Sequence, residues 1–257
     1  MIPKIIHYIF GLDSSFCNKP FEYFHYLNIL SAKKTNPEYI INLYYYYRPD
    51  SFWFNKLESE SICNLIKLET LNIFIDNEKI AYPEHLSDII RLMIINKYGG
   101  IYLDIDTICI NPFNSLLNYK FVMGIENAHV GENNSNALIG LCNAVLISEV
   151  NSEFTNIWID DYKTNYRPDW NYNSVKRPLQ LSYEHPSLIH VEPQNSFFKY
   201  SWDNQGKRNI FETKSDISDC YSLHLWEHKN YQELIKYDAK NILLCNNTIS
   251  NLYQTLL

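Results

Sequence analysis

Between Ser87 and Thr107 the chain reads Ser-Asp-Ile-Ile-Arg-Leu-Met-Ile-Ile-Asn-Lys-Tyr-Gly-Gly-Ile-Tyr-Leu-Asp-Ile-Asp-Thr, and few architectures accommodate that order. Leu86, Ile89, Ile90, Met93 and Ile94 recur at helical spacing, which predicts an amphipathic helix with Asp88 and Arg91 three residues apart on another face. Gly99 suits the left-handed residue that stops a helix, and Gly100 lets the backbone turn at once into a strand. In that strand Ile101, Leu103 and Ile105 alternate with Tyr102, Asp104 and Asp106, so the tyrosine and both carboxylates are expected on one side. Two carboxylates this close repel each other. A hard divalent cation relieves the repulsion, and Mg2+ or Mn2+ completes a shell of one or two protein carboxylates with substrate phosphate and water. A bare Asp-x-Asp is short and common, and fits an ordinary exposed strand end as well. The surrounding pattern is what distinguishes this one.

Ser87, Asp88, Arg91, Tyr98, Gly99, Gly100, Ile101, Tyr102, Leu103, Asp104 and Asp106, at these spacings, resemble the signature of the DXD sugar transferases of glycosyltransferase family 32. The stretch is also similar to the core of the large clostridial glucosylating toxins. The resemblance implies an α/β, GT-A-type, Rossmann-like nucleotide-sugar transferase fold with a mostly parallel central sheet and helices on both faces. It further implies a retaining hexosyltransferase that depends on Mn2+ or Mg2+. The donor implied is a UDP-sugar in preference to a GDP-sugar, and the acceptor a glycan, a lipid-linked sugar or a protein. By the same resemblance Asp106 anchors the metal, Asp104 meets the ribose or the metal, Asp88 and Arg91 grip donor hydroxyls, and Tyr102 lines the base or ribose pocket.

Two further segments carry the likeness. Ile2-Pro3-Lys4-Ile5-Ile6-His7-Tyr8-Ile9-Phe10-Gly11 resembles the family's first strand, one aromatic short of its usual form, and implies nucleotide contacts at Ile9, Phe10 and Gly11. Tyr221-Ser222-Leu223-His224-Leu225-Trp226-Glu227-His228 is similar to a His-x-Trp segment that closes the active site, implying His224 as a third metal ligand and Trp226 as a lid over diphosphate or sugar. Core packing explains His224 and Trp226 equally well, and both readings stand at this point. Asn143 and Ala144 resemble a sugar-facing Asn-Ala pair, although an asparagine satisfying backbone at a strand end fits too. Trp53, Trp158, Trp170 and Trp202 are acceptor-stacking candidates by residue type alone.

With 46% hydrophobic and 20% charged residues the chain is globular rather than disordered. A net charge of -7 without a basic run argues against a nucleic-acid substrate. Cys17, Cys63, Cys109, Cys142, Cys220 and Cys245 show no Cys-x-x-Cys pair and read as reduced. No apolar run reaches the length of a transmembrane helix and no secretory segment opens the sequence, so the expected location is cytoplasmic, free or peripheral at the inner membrane surface, unless the chain is part of a longer protein. The sequons at Asn133 and Asn246 mean little without secretion.

Strand-like runs at Ile2 to Phe10, Tyr39 to Tyr47 and Leu71 to Ile75 alternate with helical ones at Phe21 to Lys33 and Ser51 to Ile66, which also predicts a mostly parallel sheet. In such sheets ligands bind beyond the carboxyl ends of strands, where Phe10 and Asp104 fall. A helix is expected over 151 to 163. The expected organisation is one domain, 1–257, with a nucleotide-binding half over 1–110 and an acceptor-binding, site-closing half over 111–257. In the tyrosine run Tyr44 to Tyr47, strand alternation favours packing over a carbohydrate platform. Tyr-Leu-Asp-Ile-Asp-Thr also resembles the first motif of haloacid-dehalogenase-type phosphatases, with Asp160 and Asp161 as an imitation of the later acidic motif. About a hundred residues of αβ pattern before it count against that reading. A carbohydrate-binding relative without turnover is disfavoured by the presence of both Asp104 and Asp106.

Overall fold

A computed structural model describes residues 1–12, 20–71, 80, 83–130 and 136–257. The first half alternates strands and helices: β1 (Ile5–Ile9), α1 (Tyr23–Thr35), β2 (Ile40–Tyr45), α2 (Phe52–Ser59), β3 (Asn64–Lys67), α3 (Pro83–Tyr98) and β4 (Gly100–Leu103). The second half follows with β5 (Thr107–Cys109), β6 (Phe121–Val130), β7 (Asn136–Ser148), α4 (Glu153–Asn165), α5 (Arg177–Glu184), β8 (His190–Glu192), α6 (Gln194–Phe197), α7 (Asn204–Phe211), β9 (Ser222–His224), α8 (Glu227–Leu234) and α9 (Thr248–Gln254).

Among the described residues seven strands form one sheet in the order β3-β2-β1-β4-β7-β6-β8. β3, β2, β1 and β4 are parallel, β7 runs antiparallel to β4 and β6, and β8 is parallel to β6, so only β7 opposes the rest. From β1 the chain steps outward to β2 and β3, then returns through α3 to lay β4 on the other side of β1. That reversal opens a crevice at the carboxyl ends of β1 and β4, where such sheets bind ligands.

Alternate side chains feed two apolar layers. Ile6, Tyr8, Leu43, Ile101 and Leu103 pack with α1, α2 and the C-terminal helices on one face. Ile9, Tyr44, Tyr102 and Leu146 pack with α3, α4 and α5 on the other. The expected sandwich of a mostly parallel sheet between helices is therefore what forms, and its period-two alternation is the cause. Tyr44 is buried in the second layer and Tyr45 packs against the first, as alternation favoured. A small antiparallel pair, β5 with β9, sets Thr107 opposite His224 and Ile108 opposite Leu223. No helix among the described residues is long and apolar enough to cross a membrane, and the five described cysteines are free thiols.

Two expectations are corrected, and a third lies outside the described residues. The helix expected over residues 51–66 ends at Ser59; Ser61 turns left-handed (φ 52°) and residues 64–67 join the sheet against Asn42 to Tyr45. Ser51 caps the helix by accepting from the Trp53 N–H at 3.2 Å, but the open edge of β2 offers Leu65 and Ile66 ladder hydrogen bonds that outweigh their helical spacing. The acidic strand stops at Leu103, and Thr107 N–H donates to the Asp104 carbonyl at 2.9 Å, so both carboxylates sit on a turn rather than a strand. Apart from Leu71, the strand expected over 71–75 lies outside the described residues, as do Cys17 and Asn133.

Candidate active site

A cavity of about 560 Å³ opens at the switch point. Ile9, Phe10 and Gly11 line its β1 end. Phe10 is half-buried with its ring 5.1 Å from those of Phe21 and His25, and Gly11 adopts φ 71° where a Cβ would meet the Tyr47 carbonyl oxygen at 2.4 Å. No Cβ fits there, so Gly11 contributes only backbone to the cavity lining.

Arg91 organises the next portion. Its Nη1 lies 2.9 Å from Asp104 Oδ1 and donates to Asn143 O and Oδ1 at 3.1 and 3.2 Å. Nη2 donates to Ser87 Oγ at 3.1 Å and lies 3.3 Å from Asp88 Oδ1, while Nε donates to Ser87 O at 3.3 Å. The guanidinium also covers the Tyr102 ring at 4.8 Å. Asn143 Nδ2 donates to Asp88 Oδ1 at 2.7 Å, and the Tyr102 hydroxyl donates to Asp104 Oδ1 at 2.7 Å. Helix α3 supplies Ser87, Asp88 and Arg91 from one face, and β4 and β7 deliver their partners, so the helical spacing read in the sequence becomes a buried polar cluster. Burial pushes the Asp88 carboxyl up, more than Arg91 and Asn143 pull it down.

Asp104, Asp106 and His224 each bring one ligand atom within 4.8 Å of the others. His224 Nε2 lies 3.0 Å from Asp106 Oδ1, and the Glu227 N–H donates to Asp106 Oδ2 at 2.7 Å. Burial alone would lift Asp106, but the charge and hydrogen bond of His224, with the Glu227 N–H, hold its carboxyl down at about 2. For His224 burial favours the neutral ring, and Asp106 reverses that, raising the imidazole above its ordinary value. Asp106, expected to anchor the metal, is buried and ties the β4–β5 turn to α8.

Trp226 holds a left-handed backbone (φ 56°, ψ 53°), rare for a bulky residue. That turn ends β9 and starts α8 in one step, which is what brings the Glu227 N–H onto Asp106. Its indole donates to the Tyr200 carbonyl at 2.7 Å and its ring lies 4.2 Å from that of His224, so packing and lining of the cavity coexist.

Eleven of the residues expected at the site line this one cavity: Ile9, Phe10, Gly11, Asp88, Arg91, Tyr102, Asp104, Asp106, Asn143, His224 and Trp226. Ala144 is buried behind it. Of the four tryptophan candidates Trp170 and Trp202 reach the cavity, whereas Trp158 is core and Trp53 packs on Tyr23 at 4.2 Å. Asp161 is engaged by the Arg177 guanidinium at 2.7 and 2.8 Å, away from the lining. Sequence reasoning missed Glu126, a buried carboxylate on β6 that accepts from Trp202 Nε1 at 3.2 Å. The available signal was a lone acid in the apolar run Phe121 to Ile125 and beyond. His85, His228 and Lys229 were missed as well, and carried no signal.

The family model of the glycosyltransferase sugar-binding region containing the DXD motif matches residues 21–122. Glucan organizing enzyme 1 of Cryptococcus neoformans var. grubii is 30% identical over 248 residues, covering 94% of this chain and 67% of that protein. The human alpha-1,4-N-acetylglucosaminyltransferase is 26% identical over 186 residues, 65% of this chain and 48% of that protein. Among solved structures the glycosyltransferase GlyE of Streptococcus pneumoniae TIGR4 aligns over 100% of this chain and 60% of its own, with a TM-score of 0.52 and 12% identity, a likeness of fold. The fold is of the GT-A type, and the phosphatase reading of the acidic motif falls away. With a signature helix, turn and acidic pair built into one cavity and a relative matching nearly its whole length, the chain belongs to the glycosyltransferases whose sugar-binding region carries the DXD motif.

Proposed function

We propose that the protein is a metal-dependent retaining hexosyltransferase that moves a sugar from a UDP-sugar to a glycan, lipid-linked or protein acceptor, with a GDP-sugar as the second donor choice. The whole chain serves as one domain in this reading, residues 1–110 holding the nucleotide and 111–257 closing the site and holding the acceptor. The observation that carries it is the cluster of Asp104, Asp106 and His224 at the switch point, in which His224 Nδ1 is buried without a hydrogen-bond partner. Two carboxylates and an imidazole whose ligand atoms lie within 4.8 Å of one another fit a divalent cation, and one nitrogen among oxygens suits Mn2+ better than Mg2+. Bound there, the cation offsets the negative charge that grows on the departing diphosphate.

The protein's own groups do the rest. Ile9, Phe10 and the bare backbone of Gly11 receive the base, and Tyr102 braces the ribose side. Arg91 fixes Asp104 and Asp88 in place, and Asp88 with Asn143 faces the donor sugar. Trp226 closes the cavity and excludes water from the reacting bond. A front-side displacement, in which the departing phosphate takes the acceptor's proton, needs no protein nucleophile. Retention is supported by the human relative's name: an α product from an α-linked nucleotide sugar keeps its configuration.

The test is a panel of UDP- and GDP-sugars, each with Mn2+ or chelator, read by melting temperature and by nucleotide release. One UDP-hexose with Mn2+ should raise the melting temperature and release UDP, because a ligand bound only by the native state stabilises it according to affinity. Equal release with chelator present would remove the metal from the reading, and response to no nucleotide sugar would remove the donor.

A further inference from the structure

The cavity crosses four adjacent strands, β1, β4, β7 and β6, and is lined in that order by Phe10, Asp104, Asn143 and Glu126. Strands lie about 4.8 Å apart, so the row spans roughly 14 Å. With nucleoside at Phe10 and diphosphate at Asp104, the donor sugar falls against Asn143, and Glu126 is the next station along the sheet.

Glu126 is 4% exposed. It accepts from Trp202 Nε1 at 3.2 Å, with the Cys142 thiol as a weak second donor. A carboxylate offers about four acceptor sites, so this one is short of donors for a buried charge. Burial accordingly pushes its carboxyl above the ordinary range. Trp202, held by that hydrogen bond, is half-buried and lines the cavity, as does Trp170, which is 52% exposed. An indole face with an undersatisfied carboxylate at its edge matches a pyranose, whose C–H face stacks while its hydroxyls donate.

We propose that Glu126 and Trp202 form the acceptor subsite, and that the acceptor is a sugar whose ring stacks on Trp202 and whose hydroxyls donate to Glu126. This rests on reading the β1 to β7 portion as the donor site. It narrows the acceptor to a glycan or sugar-headed lipid, since a protein side chain offers one hydroxyl and no pyranose face.

The experiment follows UDP release from the UDP-hexose selected above, with Mn2+, and with lactose, maltose or N-acetyllactosamine as acceptor probes. At least one disaccharide should accelerate release over water. Glu126→Gln, isosteric but uncharged, should raise the acceptor KM about ten-fold or more with donor KM within about two-fold, as expected for losing a charge-assisted hydrogen bond. Trp202→Ala should raise acceptor KM as well, and carries the test alone if Glu126→Gln fails to fold. A rise in donor KM instead places Glu126 on the donor and overturns the assignment. So does an unchanged acceptor KM in a folded variant, or acceleration by none of the sugars. Absence of UDP release from every nucleotide sugar sinks the donor reading instead, which separates the two failures.

Discussion

Six protein acceptors surround the five N–H donors of Arg91: Ser87 O and Oγ, Asn143 O and Oδ1, Asp88 Oδ1 and Asp104 Oδ1. The sequence spacing predicted the pairing with Asp88, but nothing local could show that β4 and β7 would bring Asp104 and Asn143 to the same guanidinium. A side chain so occupied reaches a sugar only by releasing a protein partner, which makes Arg91 a positioning residue for the two carboxylates. Lysine keeps the charge and loses the planar fork. Arg91→Lys should therefore cost on the order of 2–3 kcal/mol in stability, a drop of roughly 5–10 °C in melting temperature, together with a large fall in kcat/KM. Calorimetry alongside steady-state kinetics checks this. An unaltered melting temperature with kcat/KM alone reduced would assign the guanidinium to the donor after all.

At the scale of elements, the junction of α3 and β4 was the most legible part of the fold, because glycine has a steric reason to be there. Gly99 and Gly100 adopt φ 61° and 95°, and a Cβ on Gly100 would meet the Ile5 carbonyl oxygen at 2.5 Å. His7 on β1 seals the joint: burial lowers its imidazole to about 4, so the neutral ring donates Nε2–H to the Gly99 carbonyl at 2.9 Å. Gly100→Ala should cost roughly 2–4 kcal/mol from backbone strain and the clash, and should lower activity further by displacing Tyr102 and Asp104. Thermal melts showing a loss under about 1 kcal/mol would mean that β1 yields at Ile5. Less legible were elements decided by distant partners. Residues 64–67 became a strand because β2 had an open edge, and Glu126 looked unremarkable because its indole partner lies 76 residues away.

Across the whole molecule, the alternation of strands and helices in the first half sufficed to predict the mostly parallel sheet, while the placement of β9 and α8 against the acidic turn was signalled only by the His-x-Trp resemblance. Asp106 is one place where the first half meets the second: Oδ1 pairs with His224 Nε2, Oδ2 accepts the Glu227 N–H, and its carbonyl accepts the Leu225 N–H at 2.9 Å. Its carboxyl falls from 3.8 to about 2 on folding, so its stabilisation is present above pH 4 or so and is lost as pH falls toward 2. His224 is raised from 6.5, so its share is complete below that value and is lost as pH rises through the higher folded value. Together they stabilise most between about pH 4 and 6.5, by on the order of 2 kcal/mol from the carboxylate. Asp106→Asn keeps an oxygen for the Glu227 N–H but removes the charge. In chelator at pH 5 to 6 it should melt roughly 4–8 °C below the parent protein, and the gap should narrow steadily below pH 4. Added Mn2+ should stabilise the parent and not the variant. A gap of equal size at pH 3 and pH 6 would show that the carboxylate charge does not join the halves, and that the amide in its place is harmful for steric reasons alone.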